Sequence, residues 1–290
     1  MRRAKAFCPG HVTGFFEICP SDDLLSMGSR GAGMCLTLGA TSEVTVTDGP
    51  RQKVEVSING RKSGAEVTKA ALRGLIGKDR KEVLVSTVLD LPMSQGFGMS
   101  AAGALSASLA LCDVLGRTRQ EAFEAAHVAE IECGSGLGDV SAIHRGGITV
   151  RVRPGLPPRG EVLRIEGEPE VVLCVIGRPI LTKTVLGDPA KARAINSRGA
   201  AMLERLIREP ALNKLMELSA GFAAETGLAS SKMKRAIEDA SEHGMASMSM
   251  LGNSAFAVGD AHRLRRALES HGKTWTCRVD LREPAVSCRA

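Results

Sequence analysis

A chain of 290 residues with 43% hydrophobic content can bury a substantial core without disulfide staples, as one large domain or two packed lobes. Its formal charge of +6 favours anionic partners, but only 3% of residues are aromatic and the basic ones are dispersed. That argues against nucleic-acid binding and for a mild attraction to phosphates and carboxylates. The eight cysteines stand singly, with no C-x-x-C and no Cys/His pair at metal-ligand spacing, as in a cytoplasmic protein with reduced thiols. Arg2, Arg3 and Lys5 imitate the start of a signal peptide, yet Pro9, Gly10, His11 and Glu17 interrupt any apolar core, and no run is long enough for a membrane span.

In chain order, alternating apolar and polar residues predict half-buried strands at 43–47, 54–58 and 82–89. Residues 100–115, rich in Ala, Leu and Ser, read as a helix stopped by Gly116, and 119–133 as a second stopped by Gly134. A glycine-rich turn at 134–138 leads to Asp139 and a short helix near Val140, and Gly146-Gly147 precedes a strand at 148–152. The Pro/Gly-rich stretch 153–160 suggests a lobe junction, dividing the chain into 1–158 and 159–290. Beyond it come a buried strand at 170–176 and three helical stretches broken near Pro210 and Gly227. Then follow strands at 245–250 and 254–258, a helix at 262–271 and a strand at 274–281. This order implies an α+β class with helices on one face of an antiparallel sheet.

The segment Gln95-Gly96-Phe97-Gly98-Met99-Ser100 falls between a strand and a helix N-terminus. Unpaired N–H groups of a first helical turn and the helix dipole hold anions there, and glycines let the backbone approach a phosphate closely. No Lys follows, so G-x-x-x-x-G-K-[ST] is absent, and G-x-G-x-x-G fails at Ala101. On spacing alone, a plain strand-to-helix turn fits equally well.

From Pro92 to Ala102 the run resembles the second motif of the GHMP kinase superfamily, P-x-x-x-G-L-G-S-S-A-A, with Phe97 for Leu and Met99 for the first Ser. Residues 6–16 look like its first motif, a proline-glycine turn leading to substrate-contacting residues. Residues 247–256 stand in place of the glycine-rich third, retaining only Gly252. Within the superfamily, residues 9–16, 28–33, 96–103 and 136–140 most resemble archaeal pantoate kinases. The resemblance implies a two-lobed fold, with an N-terminal mixed α/β lobe and a C-terminal ferredoxin-like α+β lobe. It also implies ATP and Mg2+ as cofactors, with Pro92, Gln95, Gly96, Phe97, Gly98, Met99, Ser100, Ala101 and Ala102 around the nucleotide. Glu130 becomes the metal ligand and Asp139 the base. A thioether at Met99 is a poor ligand for magnesium, which passes that role to Ser100 or water.

Several assignments stay open at this level. Glu132 competes with Glu130, Asp139 also fits a plain helix N-cap, and Lys183 reads equally as a phosphate contact or surface charge. Pantoate, the implied acceptor, carries a carboxylate, hydroxyls and a gem-dimethyl group. Arg30, beside Ser29 in a glycine-rich turn, or Arg145 suits the carboxylate. His11 and Thr13 suit the hydroxyls, and Phe15 or Phe16 the methyls. The rival acceptors are shikimate, homoserine or a mevalonate-type acid, and a rival class is a non-catalytic nucleotide-binding regulator. A homodimer is compatible with the resemblance, which does not fix the oligomeric state.

Overall fold

The computed structural model describes residues 1–180 and 182–289. Two long strands, β1 (Arg2–Cys19) and β2 (Gly28–Asp48), form an antiparallel ribbon at the centre of the larger sheet. They replace the expected turns. Pro9-Gly10 lies inside β1, at a register irregularity where a residue without an N–H costs no regular ladder bond, and residues 29–33 lie in β2. The first motif is therefore strand, and its side chains are fixed by sheet register.

β3 (Lys53–Ile58), β4 (Arg61–Lys62) and β5 (Lys81–Leu89) extend this sheet, with α1 (Glu66–Ile76) between β4 and β5. Next come α2 (Met99–Leu115), α3 (Arg119–Glu132) and α4 (Asp139–Arg145). α2 packs across β1 and β2, and its small side chains let it be buried on nearly every side. Beneath it the hydroxyls of Ser42, Thr87 and Ser106 satisfy one another at 2.8 Å, so the polar groups there carry no desolvation debt. α3 starts with a full capping box between Thr118 and Glu121.

β6 (Ile148–Arg153) pairs with β2 and with β7 (Glu161–Ile165), so the Pro/Gly-rich stretch 153–160 connects two strands of the larger sheet. The smaller sheet begins only at β8 (Glu170–Val175). There follow α5 (Thr182–Leu186), α6 (Pro189–Arg208), α7 (Leu212–Glu225), α8 (Ser231–Ser241), β9 (Gly244–Ser249), β10 (Ser254–Gly259), α9 (Ala261–Glu269) and β11 (Lys273–Arg278). The strand order β11-β8-β10-β9, antiparallel throughout, is the ferredoxin-like arrangement expected for the second half. β12 (Ala285–Arg289) returns to pair with β1.

One continuous apolar core runs through both sheets. At the end of β9, the Met250 N–H donates to the Thr13 carbonyl of β1 at 2.9 Å, which brings the edge of the smaller sheet onto the centre of the larger. Among the described residues, no helix is long and apolar enough to cross a membrane.

Candidate active site

Where the two sheets meet, a cleft of about 360 Å³ is lined by the α2 N-terminus, the ends of α3 and α4, α5 and parts of β1, β2 and β6. Its floor is the loop before α2. Gly98, at φ 64, is the N-cap, and no side chain caps the helix, so its first N–H groups are left for a ligand. Three successive carbonyls of this loop are tied to donors from elsewhere: Gln95 to the Ser254 hydroxyl, Gly96 to the Ser249 hydroxyl (2.6 Å) and Phe97 to the His11 N–H (3.0 Å). The only cis peptide among the described residues is Pro157-Pro158. A trans peptide holds N–H opposite C=O, so the N–H groups of Gly96, Phe97 and Gly98 point away from these donors, in a loop segment that lines the cleft.

Asp139 is the first residue of α4. Its Oδ1 lies 2.8 Å from His11 Nδ1. The His11 ring is fully buried, and desolvation lowers its pKa below the ordinary 6.5 despite the Asp139 carboxylate, so the imidazole is neutral. A neutral ring facing a carboxylate through Nδ1 carries its proton there, and Nε2 lies 3.4 Å from the Thr149 hydroxyl, which also reaches the Gly33 carbonyl at 3.5 Å.

Glu130, near the end of α3, is 1% exposed, and its Oε2 has no partner. Burial, and secondarily the negative charge of Asp139, raise its pKa well above the ordinary 4.5. Arg151, in β6, is likewise 1% exposed, with Nε and Nη1 unpartnered. It lies under Gly138, where a Cβ would fall 2.8 Å from Arg151 Nε and would overlap the Ser29 hydroxyl. The cleft thus opposes a main-chain anion cradle to a carboxylate, a guanidinium and a hydroxyl, with Phe16 as an apolar wall.

Residues 52–147 match the GHMP kinases N terminal domain. Over 280 residues the chain is 32% identical to a pantoate kinase of Methanocaldococcus jannaschii, covering 94% of this chain and 99% of that one. The chain belongs to the GHMP kinases. A pantoate kinase of Thermococcus kodakarensis is 36% identical over 262 residues, covering 88% of this chain and 87% of that protein. A solved structure described as a phosphotransferase related to the CoA biosynthesis pathway superposes with a TM-score of 0.89 at 31% identity, covering 99% of both chains. As a GHMP kinase the chain is an ATP-dependent small-molecule kinase with the two-lobed family fold.

Of the nucleotide residues expected from the GHMP motif, Gly96, Phe97, Gly98, Met99 and Ser100 line the cleft. Pro92, Gln95, Ala101 and Ala102 do not. Ala101 and Ala102 are in the core, and the Gln95 amide donates to the Gly177 carbonyl (3.0 Å), which makes it a brace behind the loop. Met93 and Ser94 line the cleft in their stead. Met99 turns its methyl inward, since a Cβ on Gly10 would lie 2.6 Å from its Cε, and leaves the cleft's polar position to Ser100. Glu130 lines the cleft, whereas the exposed Glu132 lies on the opposite side of α3, in a groove against α1.

Thr13, Ser29 and Phe16 also line the cleft. Four acceptor candidates lie outside the cleft lining. His11 does not reach the cleft as a hydroxyl ligand, because it is buried behind Asp139. Arg30 is held by Glu17 at 2.8 Å on the far side of β2 from the cleft lining, and Arg145 is an exposed residue at the end of α4. Phe15 is buried in the core against Phe222. The cationic group that sequence reasoning missed is Arg151. Its signal was available: an arginine inside the apolar strand 148–152. Lys183, on α5, stands at the cleft mouth.

Glu130 fits a magnesium ligand: a buried carboxylate with an orphaned oxygen is costly to ionise until a cation arrives. Among the described residues no cluster of three His, Cys, Asp or Glu side chains forms, so a metal here takes its other ligands from phosphate and water.

Proposed function

We propose that this GHMP kinase transfers the γ-phosphoryl group of ATP to the primary hydroxyl of pantoate, giving 4-phosphopantoate and ADP for coenzyme A synthesis in the cytoplasm. The observation that carries this reading is Arg151, a buried guanidinium in the cleft lining whose Nε and Nη1 have no partner. Such a group calls for an anionic acceptor, and a planar fork matches a carboxylate. The relatives named pantoate kinase support pantoate among small hydroxy acids, and the phosphotransferase title supports the pathway. Cys8, Cys19, Cys35, Cys112, Cys133, Cys174 and Cys277 are free thiols, in keeping with a reducing compartment.

In this mechanism the loop at 96–100 and the α2 N-terminus hold the triphosphate through main-chain N–H groups. Glu130 and Ser100 would hold Mg2+, which neutralises charge on the phosphate oxygens when bound. Arg151 and Ser29 take the pantoate carboxylate, Thr13 a hydroxyl, and Phe16 lies against the methyls. The acceptor oxygen attacks the γ-phosphorus, the bond to the β,γ-bridging oxygen breaks, and the hydroxyl proton passes to the Asp139 carboxylate.

A coupled ADP-release assay with ATP and magnesium, run with pantoate, shikimate, homoserine and mevalonate, tests the acceptor. Turnover should be preferential for pantoate, and preference for another acid would overturn the assignment. Asp139→Asn should bind ATP normally and lose ~10²–10⁴-fold in kcat, the range general-base catalysis contributes. Near-wild-type turnover would remove Asp139 as the base.

A further inference from the structure

His11 has no contact with the cleft, yet it touches both halves of the chemistry. Its main-chain N–H donates to the Phe97 carbonyl (3.0 Å), in the phosphate loop, and its side chain bonds Asp139 at 2.8 Å. Gly98 is close enough that a Cβ there would lie 3.1–3.3 Å from His11 N, O and Cβ, so strand and loop are in direct contact. Its ring fills space that only a glycine at position 33 leaves open: a Cβ there would fall 2.7 Å from Nε2. Thr149 closes the other end of the ring.

From this geometry we propose that His11 is the positioning residue of the reaction, a neutral Nδ1–H donor that orients the Asp139 carboxylate against the same loop its own main chain holds in place. The inference rests on the reading of Asp139 as the base. The distance from triphosphate cradle to base is then set through one residue of β1, and the Asp139 carboxylate, which can only accept, keeps a proton on Nδ1. A carboxylate accepting one fixed N–H has its second oxygen left for the acceptor hydroxyl. The main-chain bond to Phe97 is independent of side-chain identity, so side-chain variants separate the two functions.

The test is a pair of substitutions with steady-state kinetics and a nucleotide-binding measurement. His11→Leu removes the donor and should lower kcat ~10²-fold, the scale of a misplacement of about an ångström, with ADP affinity unchanged. In His11→Asn, the amide nitrogen stands in place of Nδ1 and should restore kcat to within about tenfold of wild type. Wild-type kcat in His11→Leu, or a His11→Asn protein no better than His11→Leu while both are folded, overturns the proposal. A measurement that needs no altered active site is the ¹⁵N spectrum of histidine-labelled wild-type protein at pH 7, with the His11 signals expected to report a protonated Nδ1 and a bare Nε2. A protonated Nε2 with a bare Nδ1, or a charged ring, overturns the proposal as well. Failure of the base assignment is seen separately, as turnover by Asp139→Asn. Failure of this inference alone is seen as full kcat in His11→Leu beside an inactive Asp139→Asn.

Discussion

A guanidinium wholly out of water, with unpartnered nitrogens, is a cost to the folded state unless something pairs with it. Desolvation, the larger influence, lowers the Arg151 pKa below the ordinary guanidinium range, while Asp139 and Glu130 pull it back upward. The two possible roles of Arg151 therefore predict opposite signs. As half of a structural ion pair, its loss would destabilise the fold by ~3–5 kcal/mol. As a ligand-binding group waiting for a carboxylate, its replacement by an apolar chain of similar reach should leave stability unchanged or raise it. Arg151→Met should thus keep or increase the denaturant midpoint and raise the pantoate KM ~10²-fold or more with the ATP KM unaltered. A large loss of stability with normal pantoate KM would make it structural. Arg30 supplies the contrast: its pair with Glu17 is partly solvated and worth ~1 kcal/mol at most, so Arg30→Ala should leave the pantoate constant where it is.

At the level of elements, the phosphate loop depends on a segment whose sequence looked eroded. The third motif keeps only Gly252, but its Ser249 and Ser254 hydroxyls hold two of the loop's carbonyls, and a Cβ at Gly252 would overlap the Gln95 carbonyl. Gly252→Ala should push the loop back, raising the ATP KM about tenfold and costing ~1–3 kcal/mol, the usual range for overpacking. Gly74→Ala, in α1 with nothing within 4 Å, should instead stabilise by ~0.4–1 kcal/mol and leave kinetics alone. Equal ATP KM values in the two variants would refute a role for the third motif in shaping the loop. Strand β5 was legible from its alternation, and helix α2 from its Ala, Leu and Ser content and the Gly116 stop. α1 was not, since its N-cap is Ala65 in the left-handed region rather than a capping residue. The strand expected at 43–47 is the end of β2, but β1 and the start of β2 were concealed by Pro9 and the glycines at 28–33, residues that read as turns but serve close approach: a Cβ on Gly31 would meet Phe15 and Phe16 main chain. The loop and Asp139 could be located from the family motifs. The arginine inside the strand at 148–152 was visible as well, but its place at the cleft, like the His11 bond, depends on which strands pair.

Taken as a whole, the molecule concentrates its buried histidines around the catalytic half. His11 sits behind Asp139, and His127 on α3 lies within 3.2 Å of the Leu24 and Met27 carbonyls in the β1–β2 connection. His144 on α4 packs edge-on against Phe123. Burial lowers all three below the ordinary 6.5, and for each this outweighs the groups that raise it. In the unfolded chain these imidazoles take up protons near pH 6.5, while in the folded chain they stay neutral to lower pH. Below 6.5 the unfolded state therefore binds more protons, and stability falls as pH falls, by up to ~1.4 kcal/mol per pH unit for each histidine. Since these residues tie β1, α3 and α4 together, acid should loosen the catalytic half in a window where most carboxylates are still ionised. Denaturant midpoints at pH 7.5, 6.5 and 5.5 should drop between the last two with little change in m. His144→Gln, near the end of α4 opposite Asp139, should flatten the drop while retaining turnover. A midpoint constant from pH 7.5 to 5.5 would mean that the three rings are protonated as easily in the folded chain as in the unfolded one, or that proton uptake by the buried Glu130 carboxyl, whose pKa is raised, offsets them.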